Sequence, residues 1–365
     1  MANHNAANTR IKREYFDYLK EAMRRDEASI DQVAKALARF EAATGHKDFK
    51  KFHREQAKAF KHRLDDEKNA RTGKSLARAT VHSTLSALRA FFIWLAGQPG
   101  YKSKIAYADA DYFNLSEKEV RIAKAVRDKP VPTLEQVHHV LSTMPAGSDI
   151  EKRNRALIAL ALMTGARGGA LASLNLKHID LVQGSVFQDA RDVRTKGSKT
   201  FTTWFCPVGG EALQIFTDWC DHLRTQLLWG EDDPLFPKTL IGLGGQGGFQ
   251  ALGLAREHWS STGPIRTIYK VAFAAAGLPY FNPHCFRDAL VQLGERLCTT
   301  PEQFKAWSQN IGHERVLTTL TSYGKVPAAR QAELIRGMAR PEEDNDDAQM
   351  AAIIAEAMRK YKAGG

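Results

Sequence analysis

Along the first 125 residues the apolar positions fall at helical spacing. Ile30, Val33, Ala34, Leu37 and Phe40 recur at steps of three and four, and Val81, Leu85, Leu88, Phe91, Phe92 and Leu95 repeat the pattern. This predicts two amphipathic helices, each burying one face. Between them, GHKDFKKFHREQAKAFKHRLDDEKNARTGKSLAR spaces Phe49, Phe52 and Phe60 to face inward beneath a surface dense in Lys and Arg. The whole third reads as helical, a basic surface over an apolar seam. At RDKPVPTLEQV the pattern breaks, because Pro130 and Pro132 interrupt any helix. Thr133 with Gln136 three residues later then forms a capping-box pattern ahead of Val137, Val140 and Leu141. A second domain is expected to start there, after a linker around residues 122–132.

The next run, RNRALIALALMTGA, is apolar almost all round and predicts a buried helix. IDLVQGSVFQDARDVRTKGSKTFTTWFCPV is instead rich in Val, Phe and Thr, with turn residues at Gln183-Gly184 and Gly197-Ser198, and predicts three short antiparallel strands. From about Gly210 helices and loops are expected to the end. The closing RPEEDNDDAQMAAIIAEAMRKYKAGG places Met350, Ile353, Ile354, Ala357 and Tyr361 on one helical face, with an acidic start and a basic end that complement the helix dipole. A separate tail helix over residues 342–365 is expected. GLGGQG at 242–247 fits a dinucleotide fingerprint by letters only; no strand-turn-helix unit surrounds it, so a mobile loop is expected.

Composition sharpens this picture in two ways. The chain of 365 residues, 43% hydrophobic and 25% charged, is long for one core and suits two globular domains. Its net charge of +11 is uneven. Residues 1–125 hold 25 basic and 16 acidic side chains, leaving 27 and 25 for the remainder, which points to a polyanionic partner for the front third. No apolar run approaches the roughly 20 residues that span a bilayer, and MANHNAANTR lacks an apolar signal core. Four cysteines without CxxC spacing fit reduced thiols, so a cytoplasmic, nucleoid-associated protein with no membrane partner is expected.

Three later stretches converge on one chemistry: MTGARGGALASLNLKHIDL (163–181), NPHCFRDALVQLGERL (282–297) and NIGHERVLTTLTSYGKV (310–326). Together they resemble the tyrosine recombinase, or phage integrase, family, whose catalytic domain carries TGxR, HxxR, GH and a downstream Tyr in that order. PVPTLEQVHHVL, DDPLFP and ATVHSTLSALRAFFIWLA are also similar to segments of that family. The resemblance implies a mainly α fold with a small antiparallel β-sheet. A helical SAM-like DNA-binding domain would span residues 1–125, an α+β tyrosine-recombinase catalytic domain 126–341, and a tail helix 342–365.

The residue types suit DNA strand cleavage. Attack on phosphorus builds negative charge on the non-bridging oxygens, and arginine binds such oxygens as a permanently charged fork. Arg167 and Arg287 would be that clamp. The resemblance makes Tyr323 the nucleophile, forming a 3′-phosphotyrosyl bond that stores the energy of the broken phosphodiester, with His284 and His313 donating to the phosphate. It assigns protonation of the leaving oxygen to a hairpin lysine, here Lys196 ahead of Lys199. Lys50, Lys51, Lys74 and Arg78 are the expected DNA contacts of the first domain. With two arginines on the phosphate no metal or other cofactor is expected. The implied partners are double-stranded DNA and three further copies of the chain, a tetramer on two duplexes, with room for accessory DNA-bending or directionality proteins. Integration or excision of a bacterial mobile element is the expected role; a type IB topoisomerase-like enzyme or a catalytically silent DNA-binding relative are the alternatives. Two features depart from the family pattern. Ala170 stands where an acidic residue usually follows the first arginine, and Tyr323 lies ten residues after His313 rather than nine.

Overall fold

Phenylalanines from four segments close the core of the first 125 residues. Phe52 stacks on Phe92 with ring centroids 3.7 Å apart, and Phe40 meets Phe60 and Phe92 edge-on at 5.2 and 5.3 Å. The computed structural model describes residues 4–69, 72–125, 130–245 and 247–312. The chain divides into two compact units, Met1–Ala125 and Val126–Gly365.

The first unit is helical. It comprises α1 (Ala6–Asp17), continued by a π-helical turn over Tyr18–Ala22, then α2 (Glu27–Ala43), α3 (Arg54–Asp66), α4 (Arg78–Ala96) and α5 (Glu117–Lys124). The apolar stripes read from spacing are the buried faces of α2 and α4, and Phe49, Phe52 and Phe60 all point inward. Among its described residues, the basic stretch is helical in α3, in the short 3-10 turn Phe49–Lys51 before it and at Arg78, where α4 begins. After α3, Lys68 and Ser75 pair in an isolated antiparallel bridge. Asn8, fully buried, locks α1 in place: its Nδ2 donates to the Lys47 carbonyl at 3.0 Å and its Oδ1 accepts from Phe49 N at 3.0 Å. Helix α5 begins at a Ser116/Glu119 capping box and carries helical structure to Lys124, into the segment expected to be a linker.

The second unit opens with α6 (Leu134–Thr143), held by the Thr133/Gln136 capping box, and α7 (Asp149–Thr164), ten of whose residues are buried. A single turn, α8 (Gly168–Leu171), follows. The strands β1 (Ile179–Asp180), β2 (Ser185–Gln188) and β3 (Phe201–Trp204) then form one antiparallel sheet in the order β1-β2-β3, with Val186 opposite both Ile179 and Thr203. Alternation along β2 and β3 buries Val186 and Thr203 and exposes Phe187 and Trp204. Helix α9 (Ala212–Thr225) packs along α7, and α10 (Gly263–Ala275), α11 (Cys285–Leu297) and α12 (Pro301–Asn310) complete the described chain.

The expectation of helices and loops alone after Gly210 is corrected by a hairpin, β4 (Thr239–Leu243) paired with β5 (Phe249–Leu254). GLGGQG spans the end of β4 and the turn. Its glycines mask the short alternation of Leu240 to Leu243 and Phe249 to Leu252, which is mostly exposed and makes no core-facing pattern. Arg153 anchors the base of this hairpin. Only 2% exposed, it donates to the Pro237 carbonyl at 2.7 Å and Thr239 Oγ1 at 3.1 Å and lies 4.9 Å over the Trp259 ring. Among the described residues no helix is long and apolar enough to cross a membrane.

Candidate active site

The site is built where α7 stops. Gly165 caps that helix in the left-handed region at φ +59°, and a Cβ there would stand 3.1 Å from both Arg287 Cγ and Leu290 Cδ1. Glycine is therefore required twice, for the backbone sign and for the close approach of α11. Arg287 reaches back across this contact. It is 2% exposed, its Nη1 donates to the Gly165 carbonyl at 2.8 Å, and its Nη2 donates to the Ile311 carbonyl. One guanidinium thus joins the turn leading to Arg167, the helix leading from His284, and the segment leading to His313.

Arg167 is half-buried at the cap of α8, two residues beyond the carbonyl that Arg287 holds. The Gly168-Gly169 pair lets neighbours press on this turn: a Cβ on Gly168 would lie 3.3 Å from Thr262 Cγ2, and one on Gly169 3.0 Å from the Arg194 carbonyl. Ala170 is 1% exposed and sits in the apolar core, a place unsuited to the carboxylate the family pattern carries there. His284 caps α11 and is exposed; its backbone N donates to Asn282 Oδ1 at 2.9 Å, and its carbonyl accepts from Arg287 N at 3.0 Å.

Lys196 is exposed on a turn between β2 and β3 closed by Ser198 N donating to the Thr195 carbonyl at 3.3 Å, with Gly197 at φ +71°. Lys199 is half-buried, its Cε 3.6 Å from where a Gly197 Cβ would be. Two residues missed by sequence reading fasten this connection. Arg194 donates to the carbonyls of Ala172 and Ser260, each at 2.9 Å, and its backbone N donates to Ser173 Oγ at 2.8 Å. Asn310 accepts from Trp204 N at 2.7 Å through Oδ1 and donates to Trp204 O at 2.9 Å through Nδ2. Neither has a local sequence signal, because the backbone groups that their side chains bond lie 22 to 106 residues away. His313, Tyr323 and the tail segment 342–365 lie outside the described residues.

Three other reactive side chains are silenced by burial. Tyr269 is fully enclosed against Phe273 and Phe286, and desolvation holds its phenol well above the usual range. Cys206 and Cys220 are pushed up to about 12 by the same cause. In the first unit Lys50, Lys51, Lys74 and Arg78 are all exposed. Lys50 and Lys51 precede α3, whereas Arg78 pairs with Asp65 in its last turn. Between these ends, which a 13-residue helix separates by about 20 Å, α3 presents Arg54 and Arg63 to solvent.

The model of the phage integrase family matches residues 131–329, more than half of the chain, with the stretches 163–181, 282–297 and 310–326 inside it. The chain belongs to the phage integrase family. A tyrosine recombinase XerC of Roseiflexus sp. (strain RS-1) is 23% identical over 284 residues, covering 77% of this chain and 79% of that protein. The tyrosine recombinase XerC of Escherichia coli (strain K12 / DH10B) is 32% identical over 167 residues, covering 46% of this chain and 49% of that protein, about half its length. Among solved structures, XerH site-specific recombinase bound to palindromic difH substrate superposes with a TM-score of 0.60 at 16% identity, covering 89% of this chain and 84% of that one. A lambda integrase dimer bound to a COC' core site gives 0.58 at 15% identity, covering 92% and 99%. The integrase fold, mainly helical with small antiparallel sheets, is therefore shared across most of the chain.

Proposed function

We propose that the protein is a site-specific DNA recombinase that cleaves and rejoins strands through a 3′-phosphotyrosyl intermediate. The observation that carries this reading is the Arg287 guanidinium, buried and bonded at once to Gly165 and Ile311. An arginine carries five N–H donors in a rigid plane, and two carbonyl bonds fix that plane before any substrate arrives. Such preorganised donors stabilise charge that develops only in the transition state.

In the proposed step Tyr323 Oη forms a bond to the scissile phosphorus, with His284 taking the phenol proton. The bond from phosphorus to the 5′ oxygen breaks, and Lys196 supplies that oxygen with a proton. Arg167, Arg287 and His313 donate to the non-bridging oxygens. Reversal by a 5′ hydroxyl reseals the strand without an external energy source. The first unit supplies a basic DNA-binding surface around Lys50, Lys51, Lys74 and Arg78, and residues 126–341 the chemistry. The relatives are named recombinases, and the XerH and lambda integrase neighbours were solved on DNA, the latter as a dimer. This supports duplex DNA as substrate and self-association, extended here to a tetramer on two duplexes that moves a bacterial mobile element. The tail over 342–365 is assigned to docking on a neighbouring copy.

The test is covalent trapping on a duplex nicked beside the cleavage site. The protein should form an adduct stable to detergent, and Tyr323→Phe should bind the same DNA and form none. An adduct persisting in Tyr323→Phe would reject the assignment. Two-site substrates yielding rearranged products would separate recombination from simple relaxation.

A further inference from the structure

The amide of Asn310 treats the outer edge of β3 as a neighbouring strand would. β3 ends the sheet order, so among the described residues one side of it has no strand partner. Oδ1 accepts from Trp204 N and Nδ2 donates to Trp204 O, at 2.7 and 2.9 Å, and Nδ2 also lies 3.6 Å from Cys206 Sγ. The Asn310 carbonyl accepts from Thr203 Oγ1 at 3.0 Å; that hydroxyl in turn accepts from Gln188 Nε2 at 3.1 Å, which draws β2 into the same network. One residue further, the Ile311 carbonyl takes the Arg287 bond, and at Gly312, φ +73°, a Cβ would stand 2.7 Å from the Phe201 ring. Residues 310–312 are thus held by β3 on one side and by the proposed phosphate clamp on the other.

We infer that Asn310 is a positioning residue that sets the register of the β2–β3 hairpin against the Arg287 clamp, and so places Lys196 at the leaving oxygen. This rests on the recombinase reading above. The geometry favours the hairpin over the clamp as what Asn310 controls, because Arg287 already fixes Ile311 on its own. Among the described residues, the bonds that Asn310 makes through its side chain and carbonyl go instead to Thr203 and Trp204 of β3 and to Cys206, two residues past it. β3 is one arm of the connection that carries Lys196. Without the amide rung the strand keeps Phe201 and the Thr203 hydroxyl but loses the two bonds that define its position along the chain direction. A displacement near 1 Å at the reacting centre can cost about 100-fold in rate.

The experiment compares single-turnover cleavage by the full chain on two DNA substrates, one with the normal 5′ oxygen and one with sulfur in its place. Sulfur departs as a thiolate and needs no proton. Asn310→Ala, and Asn310→Asp as a variant of equal size that keeps only the acceptor, should cleave normal DNA at least about tenfold more slowly yet approach the unsubstituted rate on the sulfur substrate, as should Lys196→Ala. DNA affinity and melting temperature should stay close to those of the unsubstituted protein. Equal losses on both substrates would mean that Asn310 acts through the clamp, and unchanged cleavage of normal DNA would mean that it positions nothing; either overturns the inference. If Lys196→Ala does not favour the sulfur substrate, the inference fails while the recombinase reading stands. If the unsubstituted protein forms no adduct on either substrate, both fail.

Discussion

Two hairpins of the second unit differ in how they are tied. The β2–β3 connection is fastened by Arg194 to Ala172, Ser173 and Ser260 and by Asn310 along β3. The β4–β5 hairpin is fastened at its base by Arg153 and extends outward, with Leu243 74% and Phe249 81% exposed. Both contain Lys or Gly motifs that invite a functional reading. Only the first is braced, from several directions, against the residues that would touch a phosphate. What distinguishes a site here is the number of independent fastenings around an exposed polar group, since a side chain held by one bond cannot be aimed.

The sharpest way to break this contrast is at its central fastening. Arg287→Ala removes a buried donor from two carbonyls as well as a charge from the phosphate, and should slow cleavage by about 100-fold or more. Gly165→Ala leaves Arg287 in the chain but forces a Cβ against it and strains a left-handed residue, at a cost of about 1–3 kcal/mol. It should reproduce much of the kinetic defect with a lowered melting temperature. Normal cleavage by Gly165→Ala would show that the α7–α11 contact does not organise the site. At the other hairpin, Leu243→Ser with Phe249→Ser should change stability by no more than about 0.5 kcal/mol and single-turnover cleavage by about twofold. A large loss there would make the second hairpin part of the machinery and erase the difference.

A smaller effect concerns the turn that feeds β1. His178 is 3% exposed and its Nδ1 accepts from Asn175 N at 2.9 Å, which requires a neutral ring. Burial, then the neighbouring Lys177, lowers its pKa below the ordinary 6.5, with Asp192 opposing. Below 6.5 the unfolded chain binds more protons than the folded one. Stability is therefore complete above that value and lost as the pH falls through it. The melting temperature should drop on acidification from pH 7 to 5, and His178→Gln should flatten the drop. A slope unchanged by that substitution would place the titration elsewhere.

Much of the fold was legible because it is written in local periodicity. The stripes of α2 and α4, the capping box of α6 and the buried α7 depend on neighbours within a few residues, and all stand where spacing places them. The three strands were legible because the composition shifts to Val, Phe and Thr there. Helix α1 went unread because its buried residues are spaced among polar ones and its central anchor, Asn8, is itself polar. The β4–β5 hairpin was hidden by glycine. At the site, Arg167, His284 and Arg287 could be named from motif order, but the bonds by which Arg287 joins Gly165 to Ile311 could not. The supporting roles of Arg194 and Asn310 could not be read at all, since bonds to backbone carry no partner identity in sequence.

The account turns on a single atom becoming bonded to DNA. Trypsin should release Tyr323 within Val316–Lys325, a peptide holding no other tyrosine. The most direct measurement is the mass of the peptide that carries nucleotide after trapping on nicked DNA and digestion. The account predicts that Val316–Lys325 carries the adduct, attached through Tyr323, and that Arg287→Ala sharply lowers its yield. Nucleotide on a peptide holding another tyrosine, such as Tyr280, or no protein-linked nucleotide at all, would contradict it.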